Sequence, residues 1–351
     1  MKSKKSRRKD RKLDAKSKGR IERRIKAIAL LSGGLDSRIA VKLMQDQGIE
    51  LIALNTTSIF CTCGAKGCTA AKFANDIGIP IKIIEKGDDY LKIIQKPEHG
   101  YGRNMNPCVD CRIYLFKLAK KMMKQLGARF IVTGEVLDQR PMSQYKGAMQ
   151  LIDKEAGVDG LVLRPLSAKL LPKTIPEKKG WVDRKKFLAI HGRRRTEQIN
   201  LADKMKIDYP CPSGGCLLTY EEFSKKVRDF IQHNKKFTKK DALLLKYGRH
   251  FRFGKNKIVV GRNHEENLQI AKLGNKGDML FEAKDVPTPT TLLQGPKTSK
   301  AIKLAASLTA RYSDSKSKIT PIIYGPELKK SMKVQKASDK EIKKWMITNN
   351  Q

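Results

Sequence analysis

The run Ser32-Gly33-Gly34-Leu35-Asp36-Ser37 follows an apolar stretch, Ala27 to Leu31, and leads into an amphipathic one. Two glycines allow a tight turn in which backbone N–H groups approach a ligand closely. The serine hydroxyls can donate to phosphate oxygens, and the N-terminus of a following helix favours an anion. A phosphate is therefore expected on Ser32, Gly33, Gly34 and Ser37; the plainer alternative is a glycine-rich turn. No Gly-Lys-Ser/Thr follows, and G-x-G-x-x-G is absent, which excludes the Walker loop and the dinucleotide fingerprint.

The cysteines form a second constellation. Cys108 and Cys111 make a C-x-x-C in Asn106-Pro107-Cys108-Val109-Asp110-Cys111-Arg112 at the start of a helical pattern. That placement, with Arg103 and Arg112 nearby, is expected to depress their pKa values and favour thiolate, the form that binds metal or attacks sulfur. Cys216 follows Gly214-Gly215, which suits a flexible approach to a site. Cys61, Cys63 and Cys68 lie among small residues, with Cys211 as a candidate fourth ligand. They read as a zinc site, an alternative set of cluster ligands, or unligated loop thiols. His99 lies close to the C-x-x-C as a ligand, a proton donor or an ordinary loop histidine. Thr133-Gly134-Glu135 ends an apolar run; Gly134 would let a nucleotide approach the backbone and Glu135 would meet substrate or metal, unless the three form only a turn.

Short apolar runs at Ala27 to Leu31, Leu51 to Leu54, Ile79 to Ile84 and Phe130 to Val132 read as buried strands. Helical patterns such as Arg38 to Gln47 and Tyr114 to Leu126 lie between them. The alternation predicts an α/β fold, a doubly wound parallel sheet with helices on both faces, whose ligands sit at the carboxyl ends of the strands. After about residue 235 the texture becomes more basic, with strand-like pieces at Lys257 to Val260 and Met279 to Glu282 and a helix at Ala301 to Tyr312, a second and smaller α+β domain. The expected order is a disordered basic arm (1–26), the α/β domain (27–200), a connecting segment with Cys216 (201–244), the second domain (245–330) and a basic tail (331–351).

Among the 351 residues, 74 Lys and Arg against 35 Asp and Glu give a formal charge of +39, which calls for a polyanionic partner. The arm alone carries 14 basic and three acidic residues. No apolar run approaches the roughly 20 residues that span a bilayer, and no signal-peptide pattern follows the basic start. A cytoplasmic protein is expected, in which clustered cysteines point to metal or sulfur chemistry rather than disulfides.

Ser32 to Ser37 resembles the SGGxDS pyrophosphate loop of the PP-loop ATP pyrophosphatases, a HUP-like fold. The resemblance implies ATP cleaved between its α and β phosphates, with the substrate adenylated. Asp36, a carboxylate beside a triphosphate, would then hold Mg²⁺ or orient a substrate group. A C-x-x-C plus a distant Cys216 on such a domain resembles the tRNA thiouridylases, of the 4-thiouridine synthase or 2-thiouridylase type. The implied roles for Cys108, Cys111 and Cys216 are a persulfide relay or ligation of three irons of a [4Fe–4S] cluster. Sulfur would come from sulfide or from a persulfide-carrying desulfurase. The stretches Val260 to Asn267, Gly277 to Pro287 and Ala301 to Ser313 resemble, more loosely, the NFACT type of RNA-binding domain. A basic rim of Arg140, Arg164, Lys169, Arg193, Arg194 and Arg195 would then meet the tRNA backbone. Two other readings stand beside tRNA thiolation: another adenylating PP-loop reaction, and a non-catalytic RNA-binding factor.

Overall fold

A computed structural model of the chain describes residues 25–62, 69–209 and 215–348. The arm, apart from its last two residues, and Cys63, Cys68 and Cys211 lie outside the described residues.

The first sheet contains β1 (Lys26–Leu30), β2 (Glu50–Thr57), β3 (Ile81–Glu85), β4 (Phe130–Thr133) and β5 (Val162–Leu163). Its order is β3-β2-β1-β4-β5, and every pairing is parallel. In β1 the alternation is between two cores: Ala27 and Ala29 enter one, Ile28 and Leu30 the other. A strand covered on both faces reads as a continuous apolar run, which is why its period of two is invisible in the sequence. The first core is closed by α1 (Leu35–Gln45), α2 (Thr69–Asp76) and, farther along the chain, Ala202; the second is closed mainly by α4 (Cys108–Leu126) and α5 (Lys146–Glu155). Between them in the chain runs α3 (Asp88–Gln95), and after them α6 (Ile175–Lys178) and α7 (Thr196–Lys204), which carries Ala202. The chain leaves β1 toward β2 and β3 on one side and returns to β4 and β5 on the other. The crevice at the carboxyl ends of β1 and β4 is thus the switch point at which such sheets bind ligands.

The predicted connecting segment is a packed helical unit. In α8 (Glu221–His233) and α9 (Lys239–Leu244), Phe223, Val227 and Phe230 recur at helical spacing and bury against Phe60, Tyr90, Leu91 and Ile94. This packing carries Cys216 to the edge of the first sheet.

The second domain is a six-stranded antiparallel sheet: β6 (Arg249–Phe253), β7 (Asn256–Val260), β8 (Met279–Ala283), β9 (Thr291–Gln294), β10 (Ile319–Gly325) and β11 (Lys330–Gln335), in the order β11-β10-β8-β9-β7-β6. It is flanked by α10 (His264–Leu273) and backed by α11 (Ser299–Tyr312), whose Leu304, Ala305 and Leu308 meet Phe251, Phe281 and Ile322. The expected basic tail is part of this fold. β11 pairs with β10 along its length, and the following α12 (Asp339–Trp345) sets Trp345 edge-on to Phe253 at 4.9 Å. The lysines of 330–336 conceal the alternation of Met332 and Val334 on one strand face. Among the described residues no helix is long and apolar enough to cross a membrane.

Candidate active site

The turn between β1 and α1 has little freedom. Gly33 has φ +81°, and a Cβ there would stand 2.4 Å from Thr69 Oγ1 and 2.8 Å from the Ala70 nitrogen, so the start of α2 leaves room only for glycine. Arg38, buried in the first turns of α1, donates from Nε to the Gly33 carbonyl at 2.8 Å and from Nη2 to the Thr69 carbonyl at 3.1 Å. Its other terminal nitrogen donates to the Asp208 carbonyl. Arg38 ties three segments around the loop. Its only sequence signal was a cation on an otherwise apolar helix face. Ser37 donates from Oγ to the Gly34 carbonyl at 2.8 Å, the Gly34 nitrogen donates to Ser32 Oγ at 3.4 Å, and Ser32 itself is exposed. Gly34 is the N-cap of α1, and among the described residues no side chain caps the helix, so the positive end of an eleven-residue helix faces the crevice.

Asp36 lies in the first turn of α1. Gln139 Nε2 donates to Oδ2 at 2.8 Å, and Gln139 in turn accepts from the fully buried Gln198 at 3.4 Å. Arg195 Nε stands 3.8 Å from the same Oδ2. The second oxygen, Oδ1, is buried and has no hydrogen-bond partner among the described residues. Burial raises the Asp36 carboxyl above its ordinary value, against the pull of Gln139, Arg195 and Arg140. Gly134 ends β4 against this turn: a Cβ there would fall 2.5 Å from the Asp36 carbonyl carbon and the Ser37 nitrogen. The close approach that Gly134 permits within the protein is to α1.

Behind the crevice lies a buried ionic cluster. Glu135, 1% exposed, pairs with Arg164 Nε at 2.9 Å and Arg112 Nε at 3.2 Å. Arg164 also forks onto both oxygens of Asp153 at 2.8 Å. These contacts correct two expectations. Arg164 is enclosed by two carboxylates and is not part of an RNA-facing rim, and Glu135 is already engaged by two guanidiniums. Arg140, Lys169, Arg193 and Arg194 are exposed, whereas Arg195 is half-buried and turned toward Asp36.

The thiols gather at the same carboxyl edge, beyond β2 and β3. Cys111 Sγ accepts from Lys86 Nζ at 3.0 Å and from the Tyr90 hydroxyl at 3.4 Å. Lys86 is the residue directly after β3, and its ammonium also sits 4.3 Å from the centre of the Tyr90 ring. Burial opposes ionisation of Cys111, but Lys86 and Tyr90 outweigh it and hold the thiol below its ordinary value. The same depression was expected of Cys108; instead burial and the charge of Cys111 raise it, despite Arg140 and Arg112. Burial pushes the Cys216 thiol up to about 12, with Cys111 and Cys61 adding to the effect. Cys61 pairs backbone to backbone with Cys216. All four are free thiols and partly accessible. Among the described residues no three His, Cys, Asp or Glu side chains gather around one metal-ion position. His99 is a structural clip, its ring nitrogens 3.2 Å from Asp110 Oδ1 and 3.1 Å from Glu155 Oε1. Lys86, Tyr90 and Gln198 carried no signal in the sequence. Each is an ordinary polar side chain that only the folded strand order brings to the site.

Comparison with known proteins agrees with both resemblances. Residues 23–170 match the family model described as thiamine biosynthesis protein (ThiI), and residues 248–346 match the NFACT protein RNA binding domain. A tRNA-specific 2-thiouridylase MnmA of Deinococcus radiodurans is 28% identical over 31% of this chain and 32% of its own length. The match thus spans about a third of that relative. The MnmA of Caldicellulosiruptor saccharolyticus is 23% identical over 89% of this chain and 92% of its own length. Among solved structures, the U34-tRNA thiolase NcsA of Methanococcus maripaludis, with its [4Fe-4S] cluster, aligns at 23% identity over 63% of this chain and 73% of its own, with a TM-score of 0.31.

Proposed function

We propose that the chain is an ATP-dependent tRNA uridine sulfurtransferase, making 4-thiouridine or 2-thiouridine and releasing AMP and pyrophosphate. One observation carries this reading: the uncapped helix end after β1 and the thiols beyond β2 and β3 share one carboxyl edge of one sheet. A phosphate site alone would fit any adenylating enzyme, but nitrogen transfer needs no thiols. The match to a ThiI family model over the first domain and to an RNA-binding domain over the second supports the same assignment.

In this reading the ATP phosphates seat on Ser32, Gly33, Gly34 and Ser37 against the positive end of α1. A uridine carbonyl oxygen attacks the α phosphorus and pyrophosphate leaves. The rigid turn holds the phosphorus in line with the incoming oxygen. Asp36 fits a magnesium ion, because Oδ2 is tethered by Gln139 while the buried Oδ1 lacks a partner among the described residues. Bound there with the triphosphate, Mg²⁺ would neutralise the charge that develops on pyrophosphate. Sulfur held by Cys108, Cys111 and Cys216 then displaces AMP. These three soft donors do not meet around one ion, as zinc would require. A [4Fe–4S] cluster would take each thiolate on a different iron and, bound, would supply an iron position open to sulfide. A persulfide carried on one thiol is the alternative within the same site. Arg140, Arg193 and Arg194 at the rim, with the second domain, would hold the tRNA backbone.

The test is pyrophosphate release from ATP with and without tRNA. Stimulation by tRNA in the wild type, retained in Cys216→Ser while thiouridine formation is abolished, is the expected pattern. Equal release with and without tRNA would contradict it.

A further inference from the structure

Cys61 and Cys216 face each other across a short antiparallel ribbon. The Thr62 nitrogen donates to the Gly215 carbonyl at 3.4 Å, and the Leu217 nitrogen donates to the Phe60 carbonyl at 2.8 Å. Hydrogen bonds that flank two facing residues, rather than join them, mark the close class of antiparallel pair, with α carbons about 4.5 Å apart. Disulfides span α-carbon separations of about 4.4–6.8 Å, and facing side chains in such a pair leave the ribbon on the same side. Both cysteines are free thiols with partial access, and Ser58 Oγ lies 3.5 Å from Cys61 Sγ. The ribbon is anchored: a Cβ at Gly215 would meet Thr62 Oγ1 at 2.5 Å, while Phe60 and Leu218 are buried in the core beneath it. Cys111 is placed differently. It rides on the first turn of α4, with its sulfur held by Lys86 and Tyr90.

We propose that Cys61 is the resolving thiol for sulfur carried on Cys216, a role that rests on the persulfide version of the sulfurtransferase reading above, in which Cys216 is not a cluster ligand. When a persulfide or polysulfide donor has loaded Cys216 as a persulfide, the Cys61 sulfur attacks the inner sulfur. The bond between inner and outer sulfur breaks, and a Cys61–Cys216 disulfide forms. The outer sulfur leaves as sulfide, with the proton of the Cys61 thiol released to it. The outer sulfur is thereby reduced and the two cysteine sulfurs are oxidised to the disulfide, so no further oxidant enters the step. A dithiol reductant then reopens the pair for the next cycle. The effect is to release sulfide beside the adenylation site rather than in bulk solution.

The experiment loads the full chain anaerobically with inorganic polysulfide, removes the excess, and follows released sulfide together with a non-reducing peptide map. The expected result is about one sulfide per chain, appearing with a Cys61–Cys216 linked peptide pair. In Cys61→Ser the persulfide should remain on Cys216 and sulfide release should slow at least about tenfold. Linkage of Cys216 to Cys111, Cys63 or Cys211, or release unaffected by Cys61→Ser, would overturn the assignment. So would failure of Cys216 to take up a persulfide. The wild-type map needs no variant to fold, and the assay contains neither ATP nor RNA. Its outcome is therefore separate from whether the chain adenylates uridine, which the pyrophosphate assay reports.

Discussion

At Asp36 one oxygen is tethered and the other is buried without a hydrogen-bond partner among the described residues, an arrangement that favours a cation there. Asp36→Asn keeps the shape and removes the charge. It should lower tRNA-stimulated pyrophosphate release by about 100-fold or more, the scale of losing a preorganised electrostatic group, while tRNA affinity stays near wild type. Because burial raises this carboxyl in the metal-free site, Mg²⁺ binding to the free chain should weaken on acidification at a higher pH than an ordinary aspartate would give, and Asp36→Asn should remove that dependence. The arginines make a second contrast. Arg164 is held inside by Glu135 and Asp153, so Arg164→Leu leaves buried carboxylates uncompensated and should destabilise the chain by about 3–5 kcal/mol in chemical denaturation. Arg193→Ala with Arg194→Ala should leave that midpoint nearly unchanged and weaken tRNA binding instead.

At the scale of elements, strand β7 places a lysine inside. Lys257 is 4% exposed, sits 4.9 Å from the centre of the Phe230 ring on α8, and its Nζ has no hydrogen-bond partner among the described residues. Burial brings its pKa down to about 7, with Arg252 and Lys226 adding to the effect against Asp229 and Asp241. Between that value and the ordinary one the unfolded chain binds the extra proton, so stability should rise with pH through this window. The penalty is fully present below pH about 7. Lys257→Met should therefore raise the melting temperature by several degrees at pH 6, and the gain should shrink steadily toward pH 9. The first sheet was readable from the sequence because its strands and helices alternate in short, clean runs, and the phosphate turn was readable because its six residues are contiguous. The thiol neighbourhood was not, since Lys86 reaches Cys111 only through the register of β3, and Cys61 meets Cys216 only once α8 has packed on Phe60. The last strand and helix were hidden by their lysines, and the Cys108 expectation failed because burial outweighs nearby arginines.

For the whole molecule, the arrangement is a phosphate-binding sheet, a helical unit that closes the thiol side, and an antiparallel domain joined to that unit. Arg252 of β6 forks onto Asp229 of α8 at 2.9 and 2.6 Å. A chain with a formal charge of +39 should bind tRNA with a steep salt dependence. Arg193→Ala with Arg194→Ala should reduce the slope of log affinity against log salt by about one for each phosphate no longer neutralised, measured by filter binding across a salt series. Whether this surface presents a uridine to ATP and sulfur at one edge of the first sheet can be read by nucleoside mass spectrometry. Unmodified tRNA is incubated anaerobically with the full chain, ATP, Mg²⁺ and isotopically labelled sulfide or polysulfide. Labelled thiouridine should appear in the tRNA, formed with an equal amount of AMP and absent in Asp36→Asn and Cys216→Ser. AMP and pyrophosphate formed with tRNA but without any labelled sulfur in the RNA would contradict it.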